Sequence, residues 1–211
     1  MKMNFLKSIV VLAITTASFT SCVKEDDFDI PTLKEVVFYE GFEDATAGSG
    51  STEIPVTLEG WVNSNLGTGT RLWIVKQFSN NKFAEFSSFY SVAPATDESW
   101  LITPEIELKD ASYALSFATQ VRFFTNNNLE VFISQNFDGD ATNIAAANWV
   151  ALNPIISGQA NNNSNVFLSS GEVNLTQYKN SKVRIGFKYV GSKQAGTTST
   201  FQLDNIKVFE N

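Results

Sequence analysis

The sequence predicts an all-β protein built as an antiparallel β-sandwich, and three observations lead to this fold class. From Glu35 onward, apolar and polar residues alternate with a period of two, as in strands that place one face on a core and the other in water. Segments rich in Gly, Asn, Ser, Thr and Asp interrupt the alternation and favour turns. No segment keeps a helical period, and the best short candidate is 141–147. Nine or more strands without intervening helices favour two stacked antiparallel sheets.

The alternation also gives the approximate position of each main strand. In chain order the predicted strands are Val36–Tyr39, Leu72–Phe78, Lys82–Phe86, Trp100–Thr103, Tyr113–Thr119, Leu129–Ile133, Val183–Tyr189 and Thr200–Val208. In the last of these, Phe201 and Leu203 share one phase while Ile206 and Val208 share the other. The change of phase at Asp204 predicts a β-bulge there.

The first 21 residues predict a signal peptide rather than part of the fold. Lys2 and Lys7 precede the short apolar stretch 9–14, which is too short to span a bilayer as a stable helix. Residues 19–22, Phe-Thr-Ser-Cys, resemble a lipobox, in which the cysteine is lipidated after cleavage. The resemblance implies that Cys22 carries a lipid anchor. The alternative is an ordinary secretory signal followed by an incidental cysteine.

Residues 22–34 are predicted to be a lipidated acidic tether, and 35–211 one β-sandwich domain. The run Lys24-Glu25-Asp26-Asp27 resembles the export signal of lipoproteins that Bacteroidota send to the outer face of the outer membrane. We therefore expect a lipid-anchored outer-membrane protein that faces the cell exterior and contacts the membrane through the anchor only. The alternative interpretation of the acidic run is a solvated spacer.

Composition excludes several kinds of chemistry. The chain has one cysteine and no histidine, so an internal disulfide, a Ser-His-Asp or Cys-His centre and an imidazole zinc site are all impossible. The net charge of −7 disfavours nucleic acid as a partner, since phosphate backbones are repelled. Acidic side chains remain compatible with calcium.

An ordered set of segments resembles a known group of domains. These segments are Glu40-Gly41-Phe42-Glu43, Trp61, Ser99–Pro104, Leu115–Phe117, Leu129–Ser134, Val173–Tyr178, Val183–Tyr189 and Phe201–Val208. Together they are similar to the choice-of-anchor J and cleaved-adhesin domains, which are MAM-like jelly rolls of bacterial surface proteins. The resemblance covers roughly residues 36–208. It implies a jelly roll, often with structural calcium, and an adhesive or glycan-related role.

The same resemblance implies a calcium site at Glu43 and Asp204. In related jelly rolls, an acid near the first strand and an acid in the last strand approach each other and hold an ion. The predicted bulge adds independent support, because a carboxylate placed on the apolar side of a strand needs a cation or several donors. The alternative is an exposed Asp204, or one bonded to backbone amides.

Two aromatic residues are candidates for stacking on sugar rings. Trp61 and Tyr90 lie beside segments rich in Asn and Ser, which favours exposure. Trp73 and Trp100 lie inside apolar strand runs and are expected in the core. The sequence thus predicts a non-enzymatic module that binds a carbohydrate or acts as an adhesin. A structural or accessory protein-binding domain of an envelope complex is the alternative, and a glycoside-active enzyme is the third hypothesis.

Overall fold

The structure, a computed structural model, describes residues 34–211. The predicted signal peptide, Cys22 and the tether as far as residue 33 therefore lie outside the described residues. Within 34–211, no helix has both the length and the hydropathy needed to cross a membrane.

Thirteen strands and four short 3₁₀ helices make up the described part of the chain. The strands are β1 (Val36–Glu40), β2 (Val62–Asn65), β3 (Ile74–Phe78), β4 (Asn81–Phe86), β5 (Thr96–Ile102), β6 (Ile106–Leu108), β7 (Tyr113–Arg122), β8 (Leu129–Ser134), β9 (Val150–Leu152), β10 (Leu168–Ser169), β11 (Val173–Asn174), β12 (Ser181–Ser192) and β13 (Thr200–Glu210). The 3₁₀ helices are Ser88–Tyr90, Ala141–Ala146, Gln159–Asn161 and Thr176–Tyr178.

The strands form two antiparallel sheets, which confirms the predicted fold class. The seven-stranded sheet has the order β10-β7-β13-β4-β3, with β1 also paired to β13 and β11 to β7. The six-stranded sheet has the order β2-β5-β12-β8-β9, with β6 also paired to β12. The long strands β7, β12 and β13 are the central members, because each has neighbours on both sides.

The main core lies between the two sheets and is built from the inward phase of each strand. Phe117 of β7 and Phe187 of β12 meet edge to face, with ring centroids 5.2 Å apart. Trp73 is fully buried here, as its position in an apolar run predicts. Removing side chains of this size from water contributes about 2–3 kcal/mol each, so the inward phase dominates the stability of the sandwich.

A second apolar cluster covers part of the outer face of the six-stranded sheet. Trp100 is 4% exposed and packs on Trp149, with ring centroids 4.9 Å apart. Phe137 and Ile144 complete the cluster from the connection between β8 and β9. Trp100 is therefore a core residue, as predicted, but it belongs to this outer cluster. Strand β5 is buried on both faces, which accounts for its apolar run.

The predicted bulge in the last strand is confirmed. The register between β13 and β7 shifts between Asp204 and Lys207, and Asn205 adopts a left-handed φ of 52°. On the other side of β13, β4 pairs with residues 201–203 and β1 with residues 206–209. The bulge therefore lies where β13 changes neighbour from β4 to β1. This arrangement creates a corner at which three strands meet.

Candidate functional site

A cleft of about 640 Å³ opens between the β2–β3 connection and the loop that joins β4 to β5. Its polar lining includes Glu53, Thr68 and Arg71, while Tyr90 and Pro94 are among its apolar residues. We call this feature the Tyr90 cleft. Its volume falls in the range of small-molecule sites, and its mixture of apolar surface and a few polar groups is typical of them.

The Arg71 side chain is one of the charged groups that line the Tyr90 cleft. It donates two hydrogen bonds to the Glu53 carboxylate, at 2.7 and 2.6 Å. The guanidinium carbon lies 4.9 Å from the centroid of the Tyr90 ring. The side chain is only 11% exposed, so the paired carboxylate and the aromatic face hold it in one orientation. The cleft therefore presents a fixed planar ion pair beside an aromatic ring.

A buried carboxylate fixes the position of the loop that carries Tyr90. Asp97 is 1% exposed and accepts hydrogen bonds from the hydroxyls of Ser88 and Ser91, both at 2.6 Å. Asn65 donates a third bond to Asp97 from the β2 side, at 2.8 Å. One buried side chain thus joins both walls of the Tyr90 cleft. This arrangement means that the cleft is formed before any ligand arrives.

A buried hydroxyl on β12, the strand next to β5, holds the same loop. The Tyr189 hydroxyl accepts a bond from the Ser88 backbone N–H and donates one to the Ser199 carbonyl, at 3.3 and 2.8 Å. Burial raises the pKa of Tyr189 to about 12, so the hydroxyl keeps its proton at neutral pH. Strand β12 therefore shares in positioning the loop.

Three large apolar side chains of this loop face water. Phe89, Tyr90 and Val92 are 55%, 59% and 82% exposed. Soluble proteins seldom place several such groups together unless the surface binds something. The exposure that the sequence predicts for Tyr90 is therefore present.

Trp61 lies in a different environment. It is half-buried and packs on Phe38 and Phe42, with ring centroids 6.1 and 5.8 Å apart. It is not among the residues that line the Tyr90 cleft. The two predicted aromatic residues are thus not brought together there, and a ligand contact at Trp61 stays a prediction.

The predicted calcium residues do approach each other, at the corner where β1, β4 and β13 meet. Asp204 is 2% exposed and accepts bonds from the Asn81 side chain at 3.0 Å and from the Asn205 N–H at 2.6 Å. Burial raises the pKa of Asp204, and the nearby Glu43 carboxylate raises it further. Burial also raises the pKa of Glu40. Asp204 is thus buried, as the bulge predicted.

The oxygen ligands at this corner are of the kind that calcium prefers, but they are few in number. Calcium takes six to eight oxygen ligands, and residues 34–211 contain no group of three or more acidic, His or Cys side chains that could hold a metal ion. Backbone carbonyls would have to supply the remainder. The Lys82 ammonium already donates to the carbonyls of Glu43 and Ala45, at 2.7 and 2.9 Å. Calcium therefore fits only if Lys82 moves away.

The roles predicted for Tyr90 and for the Glu43–Asp204 pair stay predictions, and sequence reasoning missed the polar half of the cleft altogether. Glu53 and Arg71 are 18 residues apart and make their ion pair only in the folded chain. Asp97 lies in a polar stretch that resembles any exposed turn. The available signal for Asp97 was weak: a carboxylate three residues before the apolar run that begins at Trp100.

Solved structures with a similar fold include cleaved adhesin domains and a xylan-binding domain. The K3 cleaved adhesin domain of Lys-gingipain from Porphyromonas gingivalis has a TM-score of 0.52 and 16% identity, over 84% of this chain and 99% of that chain. The K1 domain of the same protein has a TM-score of 0.45 and 18% identity, over 82% and 98%. The CBM22-1 xylan-binding domain of Xyn10C from Paenibacillus barcinonensis has a TM-score of 0.43 and 9% identity, over 84% and 95%.

The likeness to the K3 domain shows the sandwich fold alone, since the identity is low. No curated protein sequence matches the chain. A family profile described as a domain of unknown function, DUF5017, matches residues 74–210. Because this match takes in more than half of the chain, the protein belongs to the DUF5017 family.

Proposed function

We propose that this protein is a non-enzymatic binding module, displayed on the cell exterior by a lipid on Cys22, and that its Tyr90 cleft binds carbohydrate. The observation that carries the proposal is the exposed Tyr90 ring beside the fixed Arg71–Glu53 pair. The fold shared with a domain named as an adhesin supports a binding role over a catalytic one. The absence of histidine from the sequence points the same way.

The chemistry of the cleft suits a sugar. The C–H face of a pyranose packs on an aromatic ring, and its hydroxyls both donate and accept hydrogen bonds. Arg71 offers N–H donors and Glu53 offers carboxylate acceptors within the same cleft. Because the pair is already formed and oriented, little side-chain entropy is lost when a ligand binds. A cleft of this kind selects ligands by the geometry of their hydroxyl groups.

The test is a glycan array probed with the full-length protein, with calcium and with chelator. We expect specific binding, and Tyr90→Ala should remove at least one sugar from the set that the wild type binds. Ile155→Ala is the control, because Ile155 is also an exposed apolar residue, at 58%, and lies in the connection between β9 and β10, away from the cleft. Array-positive sugars are then incubated with the protein and analysed for shorter products. Cleavage would contradict the non-enzymatic assignment, and a blank array with a folded protein would contradict carbohydrate binding.

A second candidate function is supported by the exposed apolar side chains of the same loop. Phe89 and Val92 add apolar surface that a sugar does not need, and Tyr and Arg are typical anchors of protein interfaces. A blank array would therefore direct attention to a protein partner. A photo-crosslinking residue at position 92, with the same residue at position 177 as control, would trap that partner on the cell surface.

A further inference from the structure

A second depression lies on the outer face of the seven-stranded sheet, away from the Tyr90 cleft. It has a volume of about 470 Å³ and is lined by residues of β3, β4, β7 and β13. One side is closed by Phe167, from the connection between β9 and β10. We call this depression the sheet groove. None of its lining residues belongs to the Tyr90 cleft.

The base of the sheet groove is a row of polar side chains in register. Gln202 of β13 pairs with Glu85 of β4 on one side and with Gln120 of β7 on the other. The Gln202 amide donates to the Glu85 carboxylate at 2.8 Å. Neighbouring strands lie about 4.8 Å apart, so the row spans about 10 Å across the sheet. The outer face therefore carries donors and acceptors in a line.

Gln120 is the observation that points to a ligand. It is only 4% exposed, yet within residues 34–211 its side-chain amide makes no hydrogen bond. Its amide atoms are not among the fully enclosed atoms without a partner in the described residues, so they still reach the groove. The amide is therefore free to form hydrogen bonds with a molecule bound there. Gln202, 5% exposed, uses only its NH₂ group in the bond to Glu85 and keeps its own carbonyl oxygen free of any donor within the same residues.

An asparagine run holds the cover of the groove in place. Asn162 and Asn163 accept hydrogen bonds from the backbone that follows β7, at 3.0 and 3.1 Å. Asn165 accepts a bond from Arg122 at 3.1 Å. These bonds fix the connection so that Phe167 packs on Phe83, with ring centroids 5.6 Å apart. The groove therefore has a fixed aromatic side.

A second aromatic residue and the balance of charges in the groove limit the class of ligand it can bind. Phe78 lines the groove and is 70% exposed, which offers a second aromatic face. Lys76 and Arg122 balance Glu85 and Asp204 among the lining residues, so no net charge attracts an ion. Amide and carboxylate groups between aromatic rings match a ligand that carries many hydroxyls and apolar C–H faces.

We propose that the sheet groove is a second binding site, which takes a neutral oligosaccharide along the row of Glu85, Gln202 and Gln120. This inference rests on the proposed role as a carbohydrate-binding module and adds a separate site to it.

The experiment is calorimetric titration of the full-length protein with neutral hexasaccharides of glucose, xylose, mannose and galactose, and with galacturonic-acid hexasaccharides. Gln120→Leu keeps the side-chain volume but removes the amide, and we expect affinity at this site to fall about tenfold. Phe78→Ser is the second variant, because an exposed side chain is not needed for folding. Gln177→Leu, on an exposed 3₁₀ helix, is the matched control.

The outcomes separate the two sites. A component of neutral-sugar binding that is lost in the Gln120 and Phe78 variants but kept in Tyr90→Ala supports the sheet groove. Loss in Tyr90→Ala alone would overturn the groove and leave the Tyr90 cleft as the binding site. A preference for the galacturonic-acid probes would overturn the neutral ligand. No binding of any sugar by the wild type would overturn both proposals.

Discussion

Individual buried polar residues determine where this protein can bind a ligand. Asp97, Asp204 and Gln120 each lie within strands or at their edges, and each is at most 4% exposed. Asp97 is satisfied by three side chains, Asp204 by an amide and a backbone N–H, and Gln120 by none within residues 34–211. The number of partners thus separates a structural support, such as Asp97, from Gln120, whose amide is free to contact a ligand in the groove.

Replacing Asp97 with Ala should lower the free energy of unfolding by about 3 kcal/mol, because it removes charged hydrogen bonds and leaves two serine hydroxyls without an acceptor. Urea denaturation measures the change. Asp110→Ala is the control, since the Asp110 side chain is 72% exposed and makes a surface ion pair with Lys179 and a long hydrogen bond from Asn180. Equal stability of the two variants would show that Asp97 does not support the Tyr90 cleft.

Asp204 should make stability depend on pH. Because burial raises its pKa in the folded state, the folded protein holds this proton more tightly than the unfolded chain. The resulting stability is complete below the ordinary value of 3.8 and is lost as the pH rises through the raised pKa. Asp204→Asn should remove this component. The test is to measure the melting temperatures of the wild type and Asp204→Asn across the acidic pH range in the presence of chelator. Parallel curves for the two proteins would contradict this prediction.

At the scale of elements, strand length decides what the sequence predicts. Strands such as β7 and β12 have 10 and 12 residues, enough for the period of two to set their phase. The sequence predicts no strands at β9, β10 and β11, which have two or three residues and show no period. The bulge in β13 was predictable because the phase changes within one long strand.

The clefts were harder to predict, because each depends on segments that meet only in the folded chain. Gln120 lies in the outward phase of β7 and resembles an ordinary solvent-facing residue. It is buried because the β9–β10 connection covers that face, and the asparagine run that holds this connection resembles an exposed loop tip in the sequence. Sequence periodicity predicts on which face of a sheet a residue lies, but not which segment of the chain covers that face.

The corner formed by β1, β4 and β13 provides the test of calcium, which we propose binds at Glu43 and Asp204. We expect chelation to lower the melting temperature of the wild type and Asp204→Ala to abolish the difference. Lys82→Met should enlarge the effect, since it frees the Glu43 and Ala45 carbonyls for the ion. Melting curves that are indifferent to chelator in both the wild type and Lys82→Met would instead assign Lys82 as the internal cation.

At the scale of the whole molecule, the proposed role as a surface-displayed binding module requires that the domain be attached to the cell surface. We propose that the lipid on Cys22 provides this attachment. Cys22→Ala should move the protein from the membrane fraction to the soluble fraction, and cell fractionation followed by protease treatment of intact cells measures both attachment and outward display. A variant with Ser64→Ala, within β2, is the processing control. Retention of the Cys22 variant in membranes would contradict lipidation.

The position of β13 also governs the order in which the domain is completed. Strand β13 contains residues 200–210 yet lies between β7 and the pair β4 and β1, and Glu210 bonds back to Glu35 at 2.8 Å. While the chain is synthesised from its first residue, the seven-stranded sheet lacks its middle until these residues emerge. Sheets that depend on such distant pairings close late. A chain exported as we propose would therefore pass through a translocation pore before β13 could pair with its neighbours and complete the sandwich.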